Sequence, residues 1–152
     1  MRMFPHTVTV YNTLEDINTG INTYNITILR GVFLDISKGS NVMKSGIVNA
    51  DAATLYIPMS IKAVNALTGE EQTFVKPKEY GQMDPKEALK FWTLRTSGRS
   101  SVTDCFFVKG EITEESEYKD IRNRYDDVYD VTSVDTKDFG SKSMWHWEVG
   151  GQ

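Results

Sequence analysis

Residues 24–36 read Tyr-Asn-Ile-Thr-Ile-Leu-Arg-Gly-Val-Phe-Leu-Asp-Ile. Apolar side chains recur at every second position, with Tyr24, Ile26, Ile28, Val32, Leu34 and Ile36 assigned to one face and Arg30 as the interruption. That period of two is the signature of a β-strand with one buried face. The run exceeds the usual ~3–10 residues of a strand, so it is expected to bend. Gly31 is the natural place for a bulge or a close backbone approach. Long bent strands let a small sheet turn a corner and close on itself.

Working outward, His6 to Tyr11 alternates with Val8 and Val10 on one face, and Asn18-Thr19-Gly20 marks a turn before the long strand. After it, Ser37 to Ala50 breaks the pattern with Gly, Ser, Asn and Lys. Its apolar content is confined to Val42, Met43, Ile47 and Val48. A connection near the ~12–15 residue limit for structureless loops is usually functional or mobile. Here it is expected to be mobile in the free subunit. Ala53 to Met59 returns to strand, Leu55 and Ile57 facing one way and Tyr56 the other. Thr68-Gly69 is a turn, Gln72 to Val75 a short strand, and Pro77 an edge or exit from the sheet.

Asp84-Pro85-Lys86-Glu87 is a helix-start signal, after which Ala88, Leu89 and Trp92 would share a face. Val102 to Ile112 is apolar on both sides around Phe106, Phe107 and Val108, which suits a central strand. Thr113 to Tyr125 has helical spacing at Tyr118, Ile121 and Tyr125, with Glu115 and Lys119 four apart. Asp127 to Val134 alternates again, with Tyr129 and Val131 opposite Val128 and Val134. Phe139-Gly140-Ser141 turns the chain into a last strand, Met144 to Val149, with Trp145, Trp147 and Val149 on the core face. The sum is a mainly β chain: a small β-barrel or sandwich of six to eight strands, one or two short helices and a long early loop.

At 152 residues the chain suits one domain, and a chain of this size buries about 68–70% of its unfolded surface without needing a metal or disulfide. Hydrophobic residues at 39% and charged residues at 25% are globular values. A net charge of -4 argues against a nucleic-acid binder that holds phosphates with Lys and Arg. It is compatible with a conduit that DNA moves through. Cys105 is the single cysteine, so no intrachain disulfide or cysteine cluster forms, and its apolar setting reads as a buried thiol. The opening MRMFPHTVTVYN lacks the apolar core of a secretory signal, no apolar run reaches the ~18 residues of a membrane span, and a reducing cytoplasm fits.

Chemistry-bearing patterns are sparse. His6 and His146 sit on opposite terminal strands, no serine lies in a Gly-x-Ser-x-Gly elbow, and the glycines make no phosphate-binding motif. The acids Asp126, Asp127, Asp130, Asp135 and Asp138 lack EF-hand spacing and alternate with Val and Tyr as on a solvated strand face. Asn25-Ile26-Thr27 matches a glycosylation acceptor by chance. No catalytic residue, cofactor or metal is expected. The chain is read as a non-enzyme.

Three stretches taken together resemble head-completion proteins of siphophages and prophages of Gram-positive bacteria. They are His6-Thr7-Val8-Thr9-Val10-Tyr11-Asn12 with Leu29-Arg30-Gly31-Val32; Asp104 to Glu111; and an ending with Val134-Asp135, Asp138-Phe139-Gly140-Ser141, Met144 and His146-Trp147-Glu148-Val149-Gly150-Gly151. The match runs in order over nearly the whole chain, and the ending is its most specific part. The resemblance implies a small β-barrel at the head–tail junction of the virion, assembled in the host cytoplasm. It would form a ring by self-association, with a portal or adaptor ring on the head side and a tail-completion or tail-tube protein on the tail side. A tail-terminator role and a small-molecule-binding or enzymatic barrel are the alternatives.

The resemblance also implies a loop reaching the DNA channel. By position this is Ser37, Lys38, Gly39, Ser40, Asn41, Val42, Met43, Lys44, Ser45, Gly46, Ile47 and Val48, with Lys38 and Lys44 available for non-specific contact with genomic DNA. No membrane contact is implied. The outward face of the last strand, Met144, His146 and Glu148, with Gly150 and Gly151 beyond it, is the expected interface with a neighbour.

Overall fold

In the computed structural model, residues 4–16, 18–37, 40–43, 46–49, 52–96 and 104–152 are described. Six strands close into an antiparallel barrel: β1 (His6–Glu15), β9 (Cys105–Lys109), β10 (Val128–Lys137), β11 (His146–Gly151), β5 (Ala52–Pro58) and β2 (Asn22–Ser37), with β2 pairing back to β1. A flap of β6 (Ala63–Asn65), β7 (Glu71–Phe74) and β8 (Phe91–Trp92) extends the sheet from β2. β3 (Ser40–Met43) and β4 (Gly46–Asn49) form a separate hairpin. Three short helices complete the described chain: α1 (Pro77–Gly81), α2 (Pro85–Ala88) and α3 (Tyr118–Arg124).

Two strands make the corners. β2 pairs with β1 along residues 22–32 and with β5 along Phe33–Ser37, while Thr27–Leu29 also hold β6. β10 pairs with β9 through Val128–Asp130 and with β11 from Val131 onward. Each corner contains a bulge: Gly31 is the extra residue opposite His6/Thr7, and Thr132 is the extra residue opposite Gly150/Gly151. Gly31 has φ +94°, which a side chain would strain.

A bulge adds one residue, so side-chain parity reverses across it. Leu29, Val32 and Leu34 therefore share the barrel interior, whereas Tyr24 and Ile26 face outward. The single apolar face read from residues 24–36 is two faces joined at Gly31. The same correction applies to β10. Tyr129 and Val131 point inward before Thr132, and Val134 packs against the same interior after it.

Among the described residues the interior is packed with Val8, Val10, Leu55, Ile57, Phe107 and Val149, among others. A second cluster lies outside β1 and β9, where Tyr11 stacks on Phe106 at 4.6 Å and α3 covers them with Ile121. Phe106 and Phe107 thus serve opposite sides of β9, as a central strand requires. Residues 113–117, expected as helix, belong to no regular element, and the helix begins at Tyr118 after an extended Glu117. The chain leaves the sheet after Phe74, and Pro77 occupies the first position of α1, where its missing N–H costs nothing, so it marks an exit and not a sheet edge. α2 follows the Asp84-Pro85 signal but stops at Ala88, so Leu89 is exposed and Trp92 belongs to β8.

Inside one end of the barrel, β1 and β2 present polar groups to the flap. Asn25 Nδ2 lies 2.9 Å from Tyr80 Oη, 3.1 Å from Ala88 O and 2.7 Å from Phe91 O. Gln72 donates to Asn25 Oδ1 at 2.9 Å and to Leu89 O at 2.7 Å, and accepts from Thr27 Oγ1 at 2.6 Å. These buried amides fasten the flap and its two helices to the barrel. Asn25 is fully buried there and presents no glycosylation site.

Candidate functional site

The segment expected as a loop is an arm. Ser37 pairs with Ala52 in the β2–β5 ladder, and Ser40 pairs with Asn49 in the β3–β4 ladder, three residues further along each leg in the same register. Ser40, Asn41, Val42 and Met43 form one strand and Gly46, Ile47 and Val48 open the other, where a structureless connection was expected. The reason is pairing: β3 and β4 hold each other in the register that β2 and β5 set. Among the described residues the arm's strands pair with each other alone. Lys38, Gly39, Lys44, Ser45 and Ala50 lie outside the described residues. Six residues separate Ser37 from Met43, a reach of at most ~20 Å.

The last strand starts later than expected, at His146, because Met144 ends a short 3-10 turn, Lys142–Met144. Trp147 and Val149 are buried in the core as expected, but Trp145 is only half-buried and leaves that face. Met144 is 67% exposed. His146 and Glu148 are half-buried: His146 Nε2 lies 3.1 Å from Glu148 Oε1, and its Nδ1 lies 2.8 Å from Met144 O.

The glycines overturn the expected exposed tip. Gly151 is buried, and a Cβ there would meet Phe107 Cζ and Tyr129 Cβ, both at 2.8 Å; Gly150 is half-buried against Ser133. They are glycines because side chains crowd both positions, Ser133 and Thr132 at Gly150 and Phe107 and Tyr129 at Gly151. No sequence signal distinguishes such a pair from a flexible tail.

Outside β1, β2, β5 and β11, ring side chains form a row. His6 and Phe33 are 5.5 Å apart, Phe33 and Tyr56 5.7 Å, and Tyr56 and His146 6.1 Å. Leu34 N–H donates to His6 Nδ1 at 3.0 Å. The row borders an open apolar recess of about 640 Å³ that also takes in Phe4, Met144 and Trp145. On the other side of Trp145 lies a second recess, about 660 Å³, floored by Phe74 and Trp147 and rimmed by Lys76, Lys78 and Asp138. Both recesses were missed from sequence, because their walls come from strands far apart in the chain.

Burial pushes the Cys105 thiol up to about 11, and the residue is completely buried. Burial likewise raises Tyr80 to about 12 and raises Tyr11. On the exterior, Arg30 bonds Glu111 at 2.5 Å and holds its carboxyl below the usual range. Arg124 pairs with Glu114. Among the described residues no group of three or more His, Cys, Asp or Glu could hold a metal ion, and no helix is long and apolar enough to cross a membrane.

No curated protein and no solved structure matches the chain. One family model does, over residues 3–152, and the chain therefore belongs to the family described as a family of unknown function, DUF6751.

Proposed function

We propose that the protein is a structural component of the neck of a tailed phage particle, a head-completion protein that joins the DNA-filled head to the tail. The observation that carries this reading is the arm. A closed, packed barrel bears one in-register hairpin between two early strands, at the chain position where head-completion proteins are expected to carry their channel loop. The in-order resemblance of the strand ends and of the His146-to-Gly151 ending supports the same reading.

In this role the barrel is a building block, and its working parts are surfaces and the arm. A ring of copies would hang from a portal or adaptor ring, present its far side to a tail-completion or tail-tube protein, and direct the arms toward the DNA. The acidic balance of the chain suits a passage that does not grip its cargo.

The test is to image particles carrying a tagged protein and to replace residues 40–49 by a short turn. The tag is expected at the head–tail junction. The shortened protein is expected to fold, with a melting temperature within a few degrees of the parent, and its heads to leak DNA. A tag at the top of the tail tube would assign a tail-completion role. A protein missing from particles would overturn the reading, and heads that retain DNA would show that the arm is not the plug.

A further inference from the structure

The flap carries a knob at one end and a matching hollow at the other. At the knob, the turn between β6 and β7 is tightly bonded. Asn65 Oδ1 accepts from Leu67 N–H at 2.8 Å and from Thr68 N–H at 3.2 Å, and Asn65 O accepts from Gly69 N–H at 2.8 Å. Asn65 N–H donates to Glu70 O at 2.8 Å, and Glu70 N–H to Thr68 Oγ1 at 3.2 Å. This turn holds Leu67 out in solvent, 53% exposed, with Glu70 and Glu71 exposed beside it. The five hydrogen bonds fix the backbone that presents Leu67, so a contact there need not order the turn as well.

At the other end of the same hairpin, Phe74 and Trp147, 4.4 Å apart, floor the 660 Å³ recess. Lys76 and Lys78 stand exposed on its rim against the single acid Asp138. Among the described residues Glu70, Glu71, Lys76 and Lys78 make no ion pair. The knob is apolar with two free carboxylates; the hollow is apolar with two free ammonium groups. Strand geometry separates them by roughly 15–20 Å on one subunit, so a subunit cannot fill its own hollow.

We propose that the Leu67 turn of one copy docks in the Phe74–Trp147 recess of the next, Glu70 and Glu71 facing Lys76 and Lys78, and that repetition of this head-to-tail contact is how copies associate. The inference rests on the neck reading for its ring. Other exposed apolar groups fit less well. Phe139 stands between Lys137 and Lys142, close to the rim itself, and the recess beside His146 has no lysine on its walls. Rim charges set register and partner choice more than affinity. The contact is therefore weak for two free copies and cumulative where a docking ring aligns many.

Disulfide trapping tests it. A chain carrying Leu67→Cys and Thr136→Cys (Thr136 lines the hollow and is exposed) is oxidised at high concentration, with buried Cys105 out of reach. A covalent ladder extending past dimer is expected, while each single variant gives no ladder. Adding Lys76→Glu with Lys78→Glu should cut the ladder at least tenfold, and adding Glu70→Lys with Glu71→Lys to that chain should restore it. All these positions are exposed, and an unchanged melting temperature shows that the fold survives. No ladder, a product that stops at dimer, or indifference to charge reversal overturns the proposal. Particle imaging separates the two readings. A ladder from a protein missing from particles removes the neck role and leaves the contact; a neck ring without a ladder removes the contact alone.

Discussion

Gly151→Ala should be the most damaging one-carbon addition at the end of the chain. The new methyl would sit 2.8 Å from Phe107 Cζ, 2.8 Å from Tyr129 Cβ and 3.0 Å from Phe107 Cε1. Tyr129 Cβ is attached directly to the β10 backbone, and Phe107 is completely buried, so neither yields easily. Overpacking of this kind costs about 1–3 kcal/mol. At roughly 2–4 °C per kcal/mol for a domain of this size, the melting temperature should fall by roughly 2–12 °C. Gly150→Ala is the control. Its nearest neighbour is the Ser133 hydroxyl, which can rotate away, so the cost should stay below ~1 kcal/mol. Urea denaturation followed by tryptophan fluorescence measures both. Phe107→Leu removes Cζ, so combining it with Gly151→Ala should cost less than the two changes added separately. A Gly151→Ala protein as stable as the parent, or strict additivity with Phe107→Leu, would refute the packing assigned here.

Other outcomes follow from the same structure. Asn25→Leu strips partners from Gln72, Tyr80 and two carbonyls, and should cost about 3 kcal/mol or more in urea unfolding; an unchanged midpoint would mean that the amide cluster fastens nothing. Because burial raises the Cys105 thiol to about 11, its stabilising effect is complete below the unfolded value of ~8.5 and is lost as pH rises toward 11, by about 1.4 kcal/mol per pH unit. The parent should therefore weaken between those values more steeply than Cys105→Ala, and parallel urea midpoints would exclude the thiol. His146→Ala with Glu148→Ala removes a half-buried surface pair and should cost under ~1 kcal/mol, yet reduce joining of heads to tails if this face meets a neighbour. Normal joining by a folded double variant would free the face of that role.

Legibility from sequence tracked how local each feature is. Alternation located β1 and β5, because Val8/Val10 and Leu55/Ile57 keep one parity throughout, and the apolar run Phe106-Phe107-Val108 located β9. It found Gly31 as the bend of β2 but not what the bend does: Leu29 and Val32 share an interior that strict alternation assigns to opposite sides. Thr132 gave no warning, since its bulge needs no positive φ and any residue can occupy it. β6 was missed because three residues held by Thr27–Leu29 carry no period. α1 was missed because Pro77 reads equally as a sheet exit. The terminal glycines were misassigned for a related reason: what makes them small is Phe107, on a strand far earlier in the chain. Position identified the arm, while its hairpin pairing follows from the register of β2 and β5.

The corner strands also dictate an order of folding. β1 and β2 are joined by a short turn and can pair as soon as both exist. The seam that closes the barrel joins distant parts of the chain, as in the bond from Thr9 Oγ1 to Gly110 O, 101 residues apart. β11, the last strand in chain order, sits between β10 and β5. Until it arrives, two strand edges stand open, each a template for the wrong partner. Such long-range pairing is slow, on the order of milliseconds to seconds, and a nascent chain must wait for its own last strand. Conditions that slow synthesis or crowd the chains should aggregate this protein before they unfold it, with β5 and β10 as the first edges to go astray.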